Sequence, residues 1–89
     1  MTNEEKMKEF YSCADKFINL ANEISKKDNS GKVGAALRFA AARYSSFEMS
    51  LKFKDMAKEK ESIKKSLLDD YALMLDENLD TYIKHLEKK

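Results

Sequence analysis

The scarcity of residues that bend a polypeptide is the feature that most constrains this chain. Its 89 residues include no proline and only two glycines, Gly31 and Gly34. Proline and glycine are the residues that most often interrupt helices and form turns, so a chain almost without them favours long helices. The sequence therefore predicts an all-α protein, folded as a single domain over residues 1–89.

Hydrophobic periodicity divides the chain into three predicted helices. Apolar residues recur at the 3.6-residue period of a helix with one buried face. Thr2 and Glu5 have the spacing of an N-terminal capping box, and Asp55 is the best N-cap for the last helix. The segment 28–31, with the sequence Asp-Asn-Ser-Gly, is the clearest turn. The helices are predicted at about residues 3–27, 31–53 and 56–87.

The apolar positions of these helices are expected to face one another in an antiparallel three-helix bundle. Aromatic and aliphatic residues that share one face of each helix form the predicted core. The residues expected to be mostly buried are Phe10, Phe17, Ile18, Leu37, Tyr44, Phe47, Leu51, Tyr71, Leu75, Leu79 and Tyr82.

Two of the predicted helices carry more apolar surface than one such bundle covers. The second is apolar over most of its circumference, which is typical of a helix that packs on more than one neighbour. The third would be ~45 Å long at 1.5 Å per residue, and it would extend beyond its partners unless another subunit covered it. We therefore expect self-association, with a homodimer as the simplest assembly.

Charge and cysteine content narrow the partners and the compartment. The formal net charge is +1, and only two of the seventeen basic residues are arginine, which argues against a general nucleic-acid binder. A single cysteine, Cys13, excludes an internal disulfide and suits a reducing compartment. No apolar run approaches the ~20 residues that span a membrane. We expect a cytoplasmic protein that does not bind membranes.

Arg43 is the most informative polar residue of the predicted bundle. It lies between the two apolar stripes of the second helix, where an unpaired guanidinium would be costly. Asp15 is the expected partner, because the two residues lie at similar distances from the 28–31 turn. The predicted buried polar network, which fixes helix register or else forms a ligand site, comprises Arg43, Asp15, Asn19, Asn22, Asn78 and Tyr82.

Other polar residues give no sign of catalysis or of a metal site. Asp69, Asp76 and Asp80 lie on one line of the third helix, but this line is opposite its apolar face and is expected to be solvated. His85 is the only histidine and suits the negative end of a helix dipole, while Cys13 is expected to be a small core residue. We expect neither a cofactor nor an enzymatic activity.

Charge along the third helix is segregated, and this leaves two kinds of function open. Residues 52–65 carry six lysines against three acids, whereas residues 69–80 carry five acids and no base. Such asymmetry could align an antiparallel partner. The favoured hypothesis is a structural or protein-interaction module that self-associates. The alternative is a regulatory protein that binds a small anion or nucleic acid through Arg43 or the 52–65 segment.

Three stretches also resemble a family of small helical proteobacterial proteins that bears a domain-of-unknown-function label. They are Ala14-Asp-Lys-Phe-Ile-Asn-Leu-Ala-Asn22, Ala40-Ala-Ala-Arg-Tyr-Ser-Ser-Phe47 and Tyr71 with Met74-Leu-Asp-Glu-Asn-Leu-Asp-Thr-Tyr82. The family pattern often has asparagine where this chain has Ser45, which puts any role of an amide there in doubt. The resemblance covers most of the chain and implies a compact helical bacterial protein, with no implied activity.

Overall fold

Three α-helices form the structure, a computed structural model that describes residues 2–88. They are α1 (Asn3–Lys27), α2 (Lys32–Lys52) and α3 (Met56–Glu87). No strand occurs within these described residues. The all-α prediction is confirmed, and the helix boundaries match the predicted ones to within one residue.

The start of α1 is fixed by the predicted capping interaction. The Thr2 hydroxyl accepts a hydrogen bond from the Glu5 backbone N–H at 3.2 Å and donates one to the Glu5 carboxylate at 3.1 Å. Glu4 and Glu5 lie in the first turn, and Lys26 and Lys27 lie in the last. Both pairs of charges are favourable with respect to the helix dipole.

The turn between α1 and α2 is organised by Asp28. Its backbone N–H donates to the Ile24 carbonyl at 3.1 Å, and its carboxylate accepts from the Ser30 backbone N–H at 2.9 Å. The same carboxylate lies 3.1 Å from the Lys32 amino group. Gly31 has a φ of +88°, a conformation that favours glycine because it has no Cβ. These local contacts explain why α1 ends at the predicted turn.

A short non-helical segment separates α2 from α3 without glycine or proline. Asp55 is the N-cap of α3, and its carboxylate accepts from the Lys58 backbone N–H at 3.1 Å. On the other side, the Phe53 N–H donates to the Met49 carbonyl at 3.0 Å. The prediction that Asp55 begins the last helix is confirmed.

The chain divides after Ser46 into two compact units. The first contains α1 and most of α2, and its partly buried residues are Ala14, Ala21, Asp28, Val33 and Ser45. The second contains the end of α2 and all of α3, and its partly buried residues are Met49, Met56, Glu59, Ile63 and Leu67. After Leu67, the rest of α3 is exposed throughout its described length.

No residue in the described part of the chain is fully buried. The prediction that eleven apolar residues would be mostly buried is therefore wrong, because all eleven are exposed. Phe10, Phe47 and Leu79, for example, each expose more than half of their surface. Periodicity correctly identified which faces are apolar, but it carries no information about what covers them. Among residues 2–88, the side chains that were expected in the core are only partly covered.

Candidate functional site

An uncovered apolar stripe lies on the C-terminal half of α3. Its members recur at steps of three, four and one residue, so they share one side of the helix. Their exposed fractions range from 43% for Leu75 to 67% for Tyr82. We call this surface the α3 stripe, and it comprises Leu68, Tyr71, Met74, Leu75, Leu79, Tyr82 and Leu86.

A second set of uncovered apolar residues lies on α1. Each of them exposes about half of its surface, and Phe10 and Tyr11 contact each other edge to face with ring centroids 5.6 Å apart. The set comprises Met7, Phe10, Tyr11, Phe17, Ile18 and Ile24. Contiguous apolar surface of more than a few hundred Å² is rare on proteins that remain monomeric, and it marks interaction sites.

Arg43 lies at the surface rather than in a buried network. Its guanidinium carbon is 5.0 Å from the centre of the Phe39 ring, one helical turn earlier on α2. Arg43 and Asp15 are both exposed, and among the described residues no ion pair joins them. The structure thus differs from the predicted buried pair. Stacking on its own helix gives the guanidinium a favourable contact without the cost of removing two charges from water.

Small residues take the partly buried positions nearest to the predicted Arg43–Asp15 pair. Ala14 precedes Asp15, and Ser45 follows Arg43 by two residues. Alanine and serine lose little on partial burial, whereas a charged pair loses its hydration. The predicted network named the charged neighbours of these positions, whereas the partly buried residues are the small ones.

The amide and phenol groups of the predicted network are also exposed. The Asn78 side-chain amide donates to the Met74 backbone carbonyl of its own helix at 2.7 Å, and the backbone carbonyl of Asn22, whose side chain is exposed, accepts from the Ser25 hydroxyl at 3.2 Å. Asn19 and Tyr82 lie on the exposed surfaces of α1 and α3, respectively. These residues are therefore available at the surface instead of locking the register of a core.

A shallow pocket of about 450 Å³ lies beside the α1–α2 turn, within the first unit. Its only charged lining residue is Asp28, whose carboxylate already interacts with Ser30 and Lys32. These interactions lower the pKa of Asp28, chiefly through the Ser30 backbone N–H, then through the Ser30 hydroxyl and Lys32. The pocket is lined by Ala21, Asn22, Ser25, Asp28, Asn29, Gly31, Val33 and Gly34. The carboxylate of Asp28 is engaged in the turn, and nothing in the pocket resembles a reactive centre.

The remaining polar residues are dispersed. Asp69 pairs with Lys65 at 2.9 Å, and no group of three metal-binding side chains occurs between residues 2 and 88. Cys13 is exposed, so its predicted place in a core is wrong. His85 lies in the last turn of α3, where a cation is favourable. Within the same described range, no helix is both long and apolar enough to cross a membrane.

Sequence reasoning missed the contact between Arg43 and Phe39. An aromatic residue and an arginine four positions apart on a helix lie on neighbouring turns, so this spacing alone could have predicted the stacking. Asp28 and Lys32 have the same spacing, and they form an ion pair across the turn.

Comparisons with known proteins identify a family and nothing more specific. A family model described as a protein of unknown function, DUF3144, matches residues 10–83, which include most of all three helices. No curated protein and no solved structure matches the chain significantly.

Proposed function

We propose that this chain, which belongs to the DUF3144 family of proteins of unknown function, is a self-associating helical interaction module. Family membership assigns no activity, so the proposal rests on the surface of the structure. Its partner in this proposal is a second copy of the same chain. The observation that carries the proposal is the absence of any fully buried residue among residues 2–88, together with the continuous exposure of the α3 stripe.

Energetics support the need for a covering partner. Folding an 89-residue chain has to offset a large loss of conformational entropy, and burial of apolar surface is the main term that does so. Each fully covered leucine, phenylalanine or methionine side chain contributes about 1.5–3 kcal/mol. The apolar residues on α1 and on the α3 stripe leave about half of their surface exposed, so roughly half of this contribution is gained only when another surface covers them.

Charge supports a second copy as the partner. The net charge of +1 gives little overall repulsion between two chains. The lysine-rich segment 52–65, which runs from the end of α2 into α3, and the acidic segment 69–80 carry opposite net charges on the same molecule, so each copy has charges that attract the other. A strongly acidic partner would be attracted only to the lysine-rich segment, and a strongly basic partner only to the acidic segment.

Sedimentation equilibrium over a range of protein concentrations tests the proposal. We expect a monomer–dimer equilibrium, and we expect the thermal midpoint to rise with concentration because association stabilises the folded state. A monomer at every concentration, with a sharp and concentration-independent unfolding transition, would overturn it. That result would mean that the helices of one chain cover one another in solution.

A second candidate function rests on the exposure of Arg43. Its guanidinium stacks on Phe39 and has no carboxylate partner among the described residues, so it could bind a small phosphate-bearing anion. Titration with inorganic phosphate, followed by the NMR signal of the Arg43 side chain, tests this. Under this hypothesis Arg43→Ala abolishes the shift and leaves the melting temperature nearly unchanged, whereas Arg38→Ala, the matched control, retains the shift. No shift in the wild-type protein would eliminate the candidate.

A further inference from the structure

Two uncovered apolar surfaces of the chain match in length. On α1 the uncovered residues run from Met7 to Ile24, and the α3 stripe runs from Leu68 to Leu86. At 1.5 Å per residue, each surface is about 25–27 Å long. If the α3 stripe packed on the α3 stripe of another copy, the α1 residues would stay exposed. Packing of the α3 stripe on α1 instead covers both surfaces with one kind of contact.

Net charge distinguishes the same two arrangements. The stripe segment, residues 68–86, carries five acids and one lysine. Pairing of two stripe segments would therefore bring two negative surfaces together, which is unfavourable. The first unit, residues 1–46, carries eight basic and six acidic residues, so its net charge is positive. Opposite net charges thus favour contact between the stripe segment and a first unit.

The connection between α2 and α3 favours a first unit that belongs to a second copy. Only residues 53–55 separate the two helices, and none of them is glycine or proline. Among the described residues, the one positive φ is that of Gly31, in the connection between α1 and α2. A short connection without such a residue favours exchange of a helix between copies over closure within one chain. In the single chain, α3 is accordingly exposed beyond Leu67 over its described length.

We propose that two copies exchange the C-terminal halves of α3, so that the α3 stripe of each copy packs on the uncovered α1 residues of the other. This inference rests on the proposed self-association and names the surface that the α3 stripe binds. About half of the surface of the stripe is exposed, or roughly 500–700 Å² at ~150–200 Å² per large side chain. With both stripes and a comparable area on both α1 helices, the exchange buries roughly 2,000–2,800 Å², more than the ~1,200–2,000 Å² of a standard interface.

Contacts between phenylalanine and leucine side chains of different copies test the exchange, because α1 contains Phe10 and Phe17 whereas α3 contains no phenylalanine. One deuterated sample carries protons only on its phenylalanine rings, and a second carries them only on its leucine methyl groups. In the mixture we expect magnetisation transfer between copies from the Leu75 and Leu79 methyl groups to phenylalanine rings. Phe17→Leu should reduce this transfer, whereas Phe53→Leu, outside α1, should not.

Charge reversal distinguishes the exchange from pairing of two α3 stripes. Asp76→Lys combined with Asp80→Lys removes the net charge of the stripe segment. At low salt we expect the dissociation constant of this double variant to rise about 3- to 10-fold, because its attraction to the first unit is lost. Pairing of two stripes predicts a lower dissociation constant instead, because a repulsion is removed. Glu48→Lys combined with Glu61→Lys, the matched control, makes the same change in net charge outside both segments and should have a smaller effect.

Each alternative outcome overturns a different statement. A dimer without transfer to phenylalanine rings between copies, or with a lower dissociation constant after charge reversal, would overturn the exchange and leave self-association standing. A monomeric mass in sedimentation, without any transfer between copies, would refute the proposed self-association itself. Circular dichroism of each variant establishes that the helices are retained.

Discussion

Truncation of Leu75 to alanine is expected to weaken self-association, whereas the same truncation of Leu73 is not. Leu75 is part of the α3 stripe and exposes 43% of its surface in the single chain. Leu73 lies two residues earlier, about 200° around the helix, and exposes 63%. The two positions share residue type, helix and neighbourhood, so their difference isolates the face of α3.

The magnitude follows from the surface that Leu75 still has to bury. Full burial of a leucine contributes about 1.5–3 kcal/mol. Covering the 43% that remains exposed then contributes roughly 0.6–1.3 kcal/mol in each protomer. Two-fold symmetry counts this twice, so Leu75→Ala should destabilise the dimer by roughly 1–3 kcal/mol. The dissociation constant would rise about 10- to 100-fold.

Sedimentation equilibrium of the two variants beside the wild type measures this difference. Circular dichroism at high concentration serves as the control that both variants remain helical. Equal dissociation constants for the two variants would refute the assignment of the α3 stripe as the interface. A weaker Leu73→Ala dimer beside an unchanged Leu75→Ala dimer would place the interface on the opposite face of α3.

Three further predictions concern the local structure of the helices and can be checked by urea denaturation at fixed protein concentration. Hydrogen bonds from Ser30 hold the pKa of Asp28 below its ordinary value of 3.8, so the stabilising effect of the carboxylate is complete above that pH and is lost as pH falls through the lowered pKa. Asp28→Asn should therefore reduce the acid dependence of stability, and an unchanged acid dependence would contradict this role of the carboxylate. Gly31→Ala should lower the free energy of unfolding by about 1–2 kcal/mol, because residue 31 has a positive φ. Gly34→Ala should raise the free energy of unfolding by up to ~1 kcal/mol, because Gly34 lies in α2 and an added Cβ would meet only the tip of a side chain at 3.7 Å. The reverse order would contradict the turn geometry. Asp55→Ala should lower the free energy of unfolding by about 1 kcal/mol, because it removes the N-cap of α3. Asp55→Asn should retain most of that stability, because an asparagine side chain can also accept the capping hydrogen bond. Equal losses in both variants would mean that the cap contributes through charge alone.

The helix boundaries could be predicted from the sequence because they depend on interactions between residues that are close along the chain. Thr2 and Asp55 cap their helices through backbone groups three residues away, and Gly31 permits the turn. Such interactions are completed within a few residues, so residue type and spacing suffice to predict them. The same locality would have allowed the Phe39–Arg43 stack to be predicted.

Which residues are buried could not be predicted from the sequence in the same way. The periodicity of Tyr71, Leu75 and Leu79 identifies one apolar face, but a face packs equally well on a helix of its own chain or on another molecule. The expectation of a buried Arg43 depended on that missing information, because only a closed core would force the guanidinium to find a carboxylate. With the surface open, the side chain stacks on its own helix instead.

Isotope-filtered NMR on a mixture of labelled and unlabelled protein tests the central claim most directly. In such a sample, magnetisation transfer from labelled to unlabelled side chains is observed only across an interface between copies. The account predicts transfer from the methyl groups of Leu75 and Leu79 to the unlabelled chain, and none from Leu73. Transfer confined to residues within one chain, at concentrations where these methyl groups are shielded from solvent, would contradict it.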